Sequence, residues 1–387
     1  EDTIKFKLLE SKIISYIFYC IGIFYNKISK KKINIYYEKF ASKAEEGTFD
    51  LFLLSQKSKK TKNYFVISKN CPDYSKIKKH KNIITKYSLK YYFLVYCCAN
   101  FISTEAPSHL NVLRSNNKRF RLATYMKNFI FLQHGVTYMK CHGKNSPFVK
   151  GREAEPNYIV VGSAKEQEVV CDMLQISENR ILKVGLPIFD KIKNNHINES
   201  SDDIVTVMLT WKPYEEHLYD FEKSDYYKNI LEVINLLEKY VSKEQILIVP
   251  HPKIKDLLMS TNLKNQVWGN QISEVLNKSK LLITDYSSVA YNSFYQGGAV
   301  IFYQPDLELY EKENGPLIPF DNEYIGERVF TLSELKKIFS KTIQKKKINL
   351  CQLRNEEFEK KYKEINEFND GKNVERLYKE LIIKNII

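Results

Sequence analysis

Residues 281–303 read LLITDYSSVAYNSFYQGGAVIFY, and this stretch decides the fold. The apolar run 281–284 predicts a buried strand, and AVIFY at 299–303 predicts another. Between them, residues 289–296 are long enough for a short helix. A strand, a helix and a second strand in succession indicate a parallel βαβ unit of an α/β protein.

The polar residues at the end of the first strand allow two interpretations. Ser287 or Ser288 can cap the helix, and Gly297 and Gly298 suit its end, so the stretch can be a simple capped turn. A helix N-terminus also offers free N–H groups to a phosphate. Asp285 would repel a phosphate unless it faces hydroxyl groups or a cation, so a polyol ligand would give it partners.

The same α/β pattern extends along most of the chain. Continuous apolar runs, rather than alternating ones, are typical of strands covered on both faces. Crossover helices are expected at 70–86 and 164–176, and 225–242 has the spacing of an amphipathic helix. The further predicted strands are 33–37, 63–68, 91–97, 129–133, 157–162 and 181–187 before a polar linker, and 204–210 and 245–250 after it.

The linker divides the chain into two Rossmann-like halves followed by charged, helical residues. Ligands of such folds bind at the carboxyl ends of the strands, and two halves of this kind usually bind a ligand in the cleft between them. The predicted organisation is a basic, apolar segment at 1–32, a first domain at 33–193, a linker at 194–203, a second domain at 204–345, and C-terminal helices at 346–387.

Composition narrows the class of protein. The chain has 387 residues, 43% of them hydrophobic, which is enough for two domains with cores of their own. A net charge of +14 suits nucleic acid, an anionic membrane or an anionic substrate, or simply a basic surface. No nucleic-acid-binding motif accompanies the charge, so we expect no nucleic-acid partner. Seven cysteines without a CxxC motif suggest reduced thiols in the cytosol.

An apolar run at 13–25 lies between lysines near the start of the chain. It is shorter than the roughly 20 residues that span a bilayer, and no small-residue cleavage site follows it. It can be a core or interdomain helix, or it can lie in a membrane interface with its lysines on lipid phosphates. We favour a membrane-associated role at the inner face of the cell membrane because of the flanking lysines.

Polar or small residues follow six of the predicted strands. They are His134 and Gly135, Gly162 and Ser163, Leu186 and Pro187, Trp211 and Lys212, His251 and Pro252, and Asp285 with its two serines. Because parallel strands share one carboxyl edge, this repetition supports ligand binding at these strand ends, and the two halves could face one central cleft.

His134 and His251 are the two histidines that end strands, one in each half. A histidine can act as a base or as a cation near neutral pH, so one can take a proton from a hydroxyl and the other can stabilise phosphate charge. Histidines 80, 109, 142, 196 and 217 are expected on the surface, and His109 fits this expectation least well. Without a GxGxxG motif, a Walker loop or a paired-carboxylate metal motif, we expect a transfer reaction that needs no cofactor or metal.

Seven motifs occur in an order that resembles a known family. They are QHG at 133–135, VVGS at 160–163, VGLPIFD at 184–190, LTWKP at 209–213, HP at 251–252, LLITDYSS at 281–288 and DGKNVERL at 370–377. Together they resemble the CDP-glycerol glycerophosphotransferases, which include teichoic-acid and capsule polymerases and primases. The resemblance implies a GT-B fold with C-terminal helices crossing back to the first domain. It also implies transfer of a polyol phosphate from a CDP-polyol, CDP-glycerol or CDP-ribitol, to a hydroxyl with release of CMP.

The resemblance also implies roles for individual residues. His134 is similar to the family's proposed base and His251 to its second histidine at the donor pyrophosphate, with Gly135 and Lys140 on the acceptor side. Val249 stands where the family often has arginine, so Lys212 or Lys253 is expected to supply that charge. The implied donor-binding residues are Gly162, Ser163, Gly185, Thr210, Trp211, Lys212, Pro252, Asp285, Ser287 and Ser288.

Two other classes of function remain open. A GT-B glycosyltransferase that uses a nucleotide sugar shares the architecture, although it leaves TDYSS and the two strand-end histidines unexplained. A basic nucleic-acid-binding protein predicts binding that weakens steeply with salt. The leading hypothesis, a polyol-phosphate transferase, would use a polyanionic glycan or a lipid-linked acceptor at the cytoplasmic membrane face.

Overall fold

The computed structural model describes residues 11–110, 117–125, 127–141, 146–192, 203–215, 220–269 and 271–387. They form two compact units. The first contains the described residues of Glu1–Val136, Lys144–Lys191 and Asn366–Ile387, and the second those of Thr137–Gly143 and Ile192–Ile365. The predicted linker therefore lies outside the described residues, apart from Asp203.

The first unit is built on a seven-stranded parallel sheet in the order β3-β2-β1-β4-β5-β6-β7. Apolar side chains buried on both faces explain why the sequence shows continuous apolar runs there. The strands are β1 (Lys32–Tyr37), β2 (Thr61–Ile67), β3 (Ile83–Thr85), β4 (Asn100–Ser103), β5 (Asn128–Phe131), β6 (Tyr158–Val161) and β7 (Ile181–Lys183).

Helices connect and cover these strands. They are α1 (Lys12–Ile28), α2 (Thr48–Ser55), α3 (Pro72–Ile77), α4 (Leu89–Cys97), α5 (Lys118–Tyr125), α6 (Ala164–Leu174) and α7 (Ile188–Lys191). Helix α6 confirms the crossover helix expected at 164–176. At 70–86 the expectation was partly wrong, because that segment holds the short helix α3 and the edge strand β3.

The predicted strand at 91–97 is wrong, because this segment is helix α4. Ser88 caps the helix by accepting the Tyr91 N–H at 3.1 Å. From Tyr91 to Cys97 all but one of the side chains are buried, so the amphipathic spacing that marks a helix is missing. The strand of this region is β4, only four residues long, which begins three residues after the helix ends.

The second unit has a five-stranded parallel sheet in the order β12-β11-β10-β8-β9. Its strands are β8 (Ile204–Met208), β9 (Ile246–Ile248), β10 (Ser279–Thr284), β11 (Ala299–Tyr303) and β12 (Glu327–Val329), and β13 (Ile343–Gln344) pairs with β14 (Lys347–Ile348). Its helices are α8 (Asp225–Leu237), α9 (Lys255–Met259), α10 (Ile272–Lys278), α11 (Val289–Tyr295), α12 (Leu307–Asn314), α13 (Leu332–Thr342), α14 (Leu350–Leu353) and α15 (Glu356–Ile365).

Residues 281–303 form the centre of this second sheet. Strand β10 pairs in parallel with β11 on one side and with β8 on the other. Helix α11 lies between β10 and β11 in the chain, and Gly297 follows it with a φ of 95°. The βαβ unit predicted from 281–303 is confirmed.

The last helix, α16 (Asn373–Ile383), belongs to the first unit, whereas α14 and α15 belong to the second. The Asp190 carboxylate accepts the N–H groups of Asn373 and Val374 at 3.1 and 2.8 Å, at the start of α16. The Asn373 side chain donates to the Leu186 carbonyl at 2.9 Å, and the two residues are 187 positions apart. Two of the seven motifs, 184–190 and 370–377, thus hold the returning helix on the first unit.

Helix α1 has one packed face and one exposed face. Phe18 stacks on Tyr96 and Tyr25 meets Phe93 edge-on, both on α4. A Cβ at Gly22 would lie 2.8 Å from the Tyr96 carbonyl oxygen, so glycine permits this close packing. The exposed apolar face consists of Ile13, Tyr16, Ile17, Tyr19, Ile21, Ile23, Phe24 and Ile28. Among the described helices, none has the length and apolar content needed to cross a membrane.

Candidate functional site

In the first unit, His134 follows β5 at the carboxyl edge of the sheet. Gln133 precedes it with a φ of 58° and is anchored by a hydrogen bond from its side chain to the Val160 carbonyl, at 2.6 Å. The His134 ring is exposed, and its Nδ1 lies 3.2 Å from the Thr104 carbonyl oxygen. A carbonyl can only accept, so Nδ1 carries the hydrogen and Nε2 keeps its lone pair. The imidazole is therefore arranged to accept a proton at Nε2.

The carbonyl that orients His134 is itself fixed by buried polar groups. The Thr104 hydroxyl donates to the Glu46 carboxylate at 2.5 Å, and Lys39 forms a 2.9 Å ion pair with the other Glu46 oxygen. Both Thr104 and Glu46 are almost fully buried. A rigid second layer of this kind holds the ring in one orientation.

Gly162, Ser163 and Gly185, predicted to bind the donor, lie in the first unit with protein partners. The Gly162 N–H donates to the Glu166 carboxylate at 2.5 Å, and the buried Ser163 hydroxyl caps α6 by accepting the Glu166 N–H at 3.0 Å. Gly185 has a φ of +83°, and a Cβ there would lie 2.4 Å from the Asn373 side-chain oxygen. These contacts explain the three residues through folding, and a donor role for them stays a prediction.

In the second unit, Asp285 joins two strand ends. Its carboxylate accepts the Thr210 N–H at 3.0 and 2.9 Å, the Thr210 hydroxyl at 2.7 Å and its neighbour's N–H, that of Tyr286, at 2.6 Å. The Asp285 carbonyl accepts the Gln304 amide at 2.9 Å. Asp285 is 2% exposed, so the protein already supplies the hydroxyl partner that the sequence argument sought in a polyol.

The two residues after Thr210 also have structural partners. Trp211 packs in the core of the second unit, edge-on to Tyr226 at 5.5 Å. Lys212 is buried, and its ammonium lies 2.5 Å from the Asp306 carboxylate. The Lys212 charge is therefore already compensated by Asp306, whereas the Lys253 side chain is exposed.

Asp306 also accepts the Tyr286 hydroxyl at 2.9 Å. Burial raises the pKa of Tyr286 far above its usual value, and the Asp306 charge raises it further, so the phenol stays protonated as a donor. Tyr286 stacks on Tyr310 with ring centroids 3.7 Å apart. The loops after β8, β10 and β11 are thus joined by buried charges and rings.

His251 follows β9 and differs from His134 in its hydrogen bonding. Its Nδ1 accepts the Lys253 N–H at 3.3 Å, as the cap of a single 3₁₀ turn that begins at Pro252. A neutral ring that accepts at Nδ1 carries its hydrogen on Nε2. His251 and Pro252 are both exposed.

Ser287 and Ser288 are partly exposed at the start of α11. The Ser287 hydroxyl oxygen accepts the Val289 N–H at 3.3 Å, which leaves its hydrogen to donate elsewhere. Ser288 makes no side-chain cap. The predicted cap is therefore Ser287, and phosphate binding by the two serines stays a prediction.

Gly135 and Lys140, expected on the acceptor side, are placed in different units. Gly135 follows His134 in the first unit, whereas 137–141 belong to the second. Lys140 bridges to Leu317, and its ammonium lies over the Tyr310 ring, 5.8 Å from the centroid. The surrounding protein lowers the pKa of Lys140 by desolvation and through the Lys212 charge, and the Asp285 charge opposes this, although the residue keeps exposed surface.

Sequence reasoning missed two pairs of residues. Asp306 compensates Lys212, and Glu105 lies 3.0 Å from His109 at the edge that also carries His134. Acidic residues just after strands were the available signal, since both follow a strand by three residues or fewer. In the described part of the chain, no three His, Cys, Asp or Glu side chains are grouped as a metal site requires.

A family comparison matches residues 23–383 to the CDP-Glycerol:Poly(glycerophosphate) glycerophosphotransferases. The chain belongs to this family. Two curated relatives from Bacillus subtilis (strain 168) are each 26% identical to it. The minor teichoic acid biosynthesis protein GgaB matches over 68% of this chain and 31% of its own length, and a teichoic acid glycerol-phosphate primase over 41% and 42%. The chain thus spans less than half of each relative that it matches.

Solved structures show the fold of this family member. The wall teichoic acid polymerase TagF, in a His-to-Asn variant with CDPG, is 19% identical, with a TM-score of 0.68 over 99% of this chain and 96% of that one. A putative UDP-N-acetylglucosamine 2-epimerase from Listeria monocytogenes is 12% identical, with a TM-score of 0.52 over 92% and 98%. With its two parallel α/β sheets and its returning C-terminal helix, the chain has the GT-B fold.

Proposed function

We propose that this protein transfers glycerol phosphate from CDP-glycerol to an acceptor hydroxyl, releasing CMP, in the synthesis of a teichoic-acid-like polymer. The observation that carries the proposal is the opposite hydrogen bonding of its two strand-end histidines. These contacts select opposite neutral tautomers, with the lone pair on Nε2 of His134 and the hydrogen on Nε2 of His251. Membership of the glycerophosphotransferase family supports the choice of donor.

In this reaction the acceptor oxygen attacks the phosphorus that carries the glycerol. The new P–O bond forms as the bond from that phosphorus to the bridging oxygen breaks, and CMP leaves with the bonding electrons. His134 Nε2 takes the proton of the attacking hydroxyl. His251 donates from Nε2 to a donor phosphate oxygen, where charge develops.

Ser287 at the start of α11 and Lys253 in the turn after β9 would hold the rest of the donor phosphate. Ser287 can donate its hydroxyl hydrogen, and the exposed Lys253 can supply charge. Asp285 and Lys212 act one step further away, because they fix the loops from which these groups project. Catalysis would then depend mainly on positioning and charge, as is usual in phosphoryl transfer.

The decisive experiment follows CMP release with CDP-glycerol, CDP-ribitol and a panel of nucleotide sugars. We expect CDP-glycerol to be turned over in the presence of a poly(glycerol phosphate) acceptor. Turnover of a nucleotide sugar alone would replace the proposal with a glycosyltransferase, and turnover of CDP-ribitol alone would change the polyol. A donor panel tests the substrate without assuming which residues act.

We further propose that helix α1 rests on the anionic inner face of the membrane, where a lipid-linked or polyanionic acceptor would be found. Ile17 and Phe24 are 50% and 64% exposed, and Lys12, Lys27 and 30–32 surround the apolar face with positive charge. Apolar rings and lysines together are what an anionic lipid interface attracts.

Vesicle sedimentation tests the membrane proposal. Replacing Ile17 and Phe24 by serine should reduce binding to phosphatidylglycerol vesicles several-fold. The control is Phe320→Ser, since Phe320 is 77% exposed in the second unit. Equal binding by all three proteins would contradict the proposal.

A further inference from the structure

The loop after β4 carries a carboxylate–imidazole pair that takes no part in the transfer step proposed above. Strand β4 pairs in parallel with β5, so this loop and the His134 loop leave the same edge of the first sheet. His109 Nδ1 lies 3.0 Å from Glu105 Oε2. The same oxygen accepts the Phe40 N–H at 2.7 Å. Two segments of the chain, the loop after β4 and the turn at Phe40, therefore meet at one carboxylate.

The Glu105 carboxylate is ionised. Its burial acts to raise its pKa, but the hydrogen bonds from His109 and from the Phe40 N–H, with the charges of His109 and His134, hold the pKa below its usual value. An ionised carboxylate accepts from Nδ1, so a neutral His109 keeps a lone pair on Nε2. Carboxylates commonly orient a histidine in this way.

The other side of the His109 ring faces outward. Its side chain is 40% exposed, and within the described residues Nε2 has no hydrogen-bond partner. The Phe40 ring stacks on it with centroids 4.6 Å apart and remains 47% exposed. An aromatic ring and an imidazole nitrogen are thus presented together to solvent.

Buried groups hold Phe40 in this position. Its N–H is taken by Glu105, and its carbonyl accepts the ammonium of the buried Lys86 at 2.9 Å. Lys86 also reaches the His109 carbonyl at 3.5 Å. The two rings are therefore fixed to each other through both the carboxylate and the ammonium.

A purely structural role would explain Glu105, which ties Phe40 to His109. It would not explain why both rings stay exposed, since an anchored aromatic pair gains more free energy when it is buried. Because β4 and β5 are neighbouring parallel strands, the pair lies at the same sheet edge as the proposed base.

We propose that Phe40 and His109, positioned by Glu105, form the subsite that binds the terminal polyol of the acceptor. The Phe40 ring covers the C–H face of the polyol. His109 Nε2 accepts a hydrogen bond from a hydroxyl next to the attacking one. His134 alone takes the transferred proton. This inference rests on the proposed function for the identity of the polyol, while the subsite can be tested without turnover.

Steady-state kinetics against acceptor concentration is the first test. With a poly(glycerol phosphate) acceptor, His109→Ala and Phe40→Ala should each raise the acceptor KM about five- to twenty-fold and leave the CDP-glycerol KM within two-fold. His109→Gln, whose amide oxygen can accept from a hydroxyl, should recover part of the loss. The matched control is His80→Ala, because His80 meets Phe49 elsewhere in the first unit. An unchanged acceptor KM, or an equal rise in the donor KM, would overturn the inference.

Direct binding separates this inference from the proposed function. Glycerol phosphate oligomers are titrated into the full chain while the His109 imidazole signals are followed by NMR, with His80 as the internal reference. We expect saturable shifts at His109 that are lost in Phe40→Ala. Such shifts in a protein that fails to turn over CDP-glycerol would retain the subsite and reject the donor assignment. Absence of shifts at His109 in wild-type protein would overturn the subsite.

Discussion

The carboxyl edges of the two sheets carry similar residue types and use them differently. In the second unit, Asp285 and Lys212 are 2% exposed and are paired with Thr210 and Asp306. In the first unit, His134 is exposed and His109 is partly exposed, and the Thr104 carbonyl and the Glu105 carboxylate lie behind them. On the second edge, the buried Asp285 and Lys212 join loops to one another, whereas on the first edge an exposed His134 ring is supported by buried groups.

This difference shows that a charged residue in a motif need not contact the ligand. The TDYSS and LTWKP motifs meet through Asp285 and Thr210, so much of their sequence can be explained by the joining of two loops. Polar groups of the second unit that have exposed surface near these motifs include the His251 ring, the Ser287 hydroxyl and Lys253. Substitution of an exposed histidine should therefore mainly reduce activity, whereas substitution of the buried Asp285 should mainly reduce stability.

The largest effect is expected from His134→Ala. Loss of a general base typically lowers kcat by about 10²–10⁴-fold, and an exposed ring contributes little to stability. We expect turnover of CDP-glycerol to fall by that factor while the thermal midpoint stays within about 2 °C of wild type. Initial rates of CMP release and a melting curve on the same preparation measure both.

His80→Ala is the control for that experiment, since His80 lies in the same unit. It should retain near-wild-type turnover. If His134→Ala kept more than about a tenth of the activity, the proposed base would be wrong. If instead the His134→Ala protein unfolded, His134 would be needed for stability, as Asp285 is expected to be in the second unit.

Asp285→Ala should mainly reduce stability. It removes a buried carboxylate that accepts two N–H groups and a hydroxyl, and leaving those donors unpaired costs about 2–4 kcal/mol. Both tryptophans of the chain, Trp211 and Trp268, lie in the second unit, so urea unfolding followed by tryptophan fluorescence reports on that unit.

The comparison variant is Asp256→Ala, an exposed aspartate on α9 of the same unit. It should shift the unfolding midpoint little. A stable Asp285→Ala protein that has lost only CDP-glycerol binding would show that Asp285 contacts the donor. Its main role would then not be to join the two loops.

Most of the fold could be predicted because buried parallel strands leave a local signal. Strands β5, β6, β8, β10 and β11 were each recognisable as an apolar run that ends at polar residues. Both faces of a covered sheet are buried, so its strands lack the alternation of apolar and polar residues. Helix α4 was misassigned because a helix buried on nearly all sides loses its amphipathic spacing as well. A short strand such as β4 gives too few residues for a pattern.

The candidate site was less predictable, because contacts between distant segments decide the role of each residue. The sequence shows that Asp285 is a polar residue at the end of a strand. It cannot show that Thr210 donates hydrogen bonds to the Asp285 carboxylate. Gly185 follows β7, at a strand end where a ligand could be expected. A side chain is excluded there because a Cβ would collide with Asn373, which is far along the chain. His109 was expected on the surface, and its contacts with Glu105 and Phe40 distinguish it from His80.

A pH experiment examines a buried carboxylate of the first edge. Burial raises the pKa of Glu38 from 4.5 to about 7, and the charge of Glu46 adds to the rise against three backbone N–H bonds. Below pH 4.5 both the folded and unfolded chains keep this group protonated. Between pH 4.5 and 7 only the unfolded chain ionises, so the contribution of Glu38 to stability is lost as pH rises.

Glu38→Gln removes that ionisation. Relative to this variant, wild-type protein should lose up to about 3 kcal/mol of stability between pH 4.5 and 8, at no more than about 1.4 kcal/mol per pH unit. Far-UV circular dichroism in urea at several pH values measures the difference. Parallel stability curves for the two proteins would show that Glu38 is ionised in the folded state.

The smallest effect compares two glycines of the first unit that share a backbone conformation. Gly185 and Gly151 have φ angles of +83° and +80°, so alanine brings similar backbone strain at both. At Gly185 a Cβ would also meet Asn373 at 2.4 Å, whereas at Gly151 nothing lies within 4 Å. A Cβ at Gly185 would also meet the Phe368 Cβ at 2.9 Å. The difference between Gly185→Ala and Gly151→Ala therefore reports the contact with the C-terminal residues Phe368 and Asn373, and we expect it to be about 1–3 kcal/mol.

The readout of this pair should be local, because Asn373 also donates to Leu186 and its N–H is held by Asp190. Displacing Asn373 loosens the start of α16, so limited proteolysis should release residues near 366–387 faster in Gly185→Ala than in Gly151→Ala. The tryptophan signal of the second unit should be the same in both. Equal proteolysis would mean that the close approach of Gly185 to Asn373 is not what holds the returning helix, and the Asp190 carboxylate at the start of α16 would then be the main attachment.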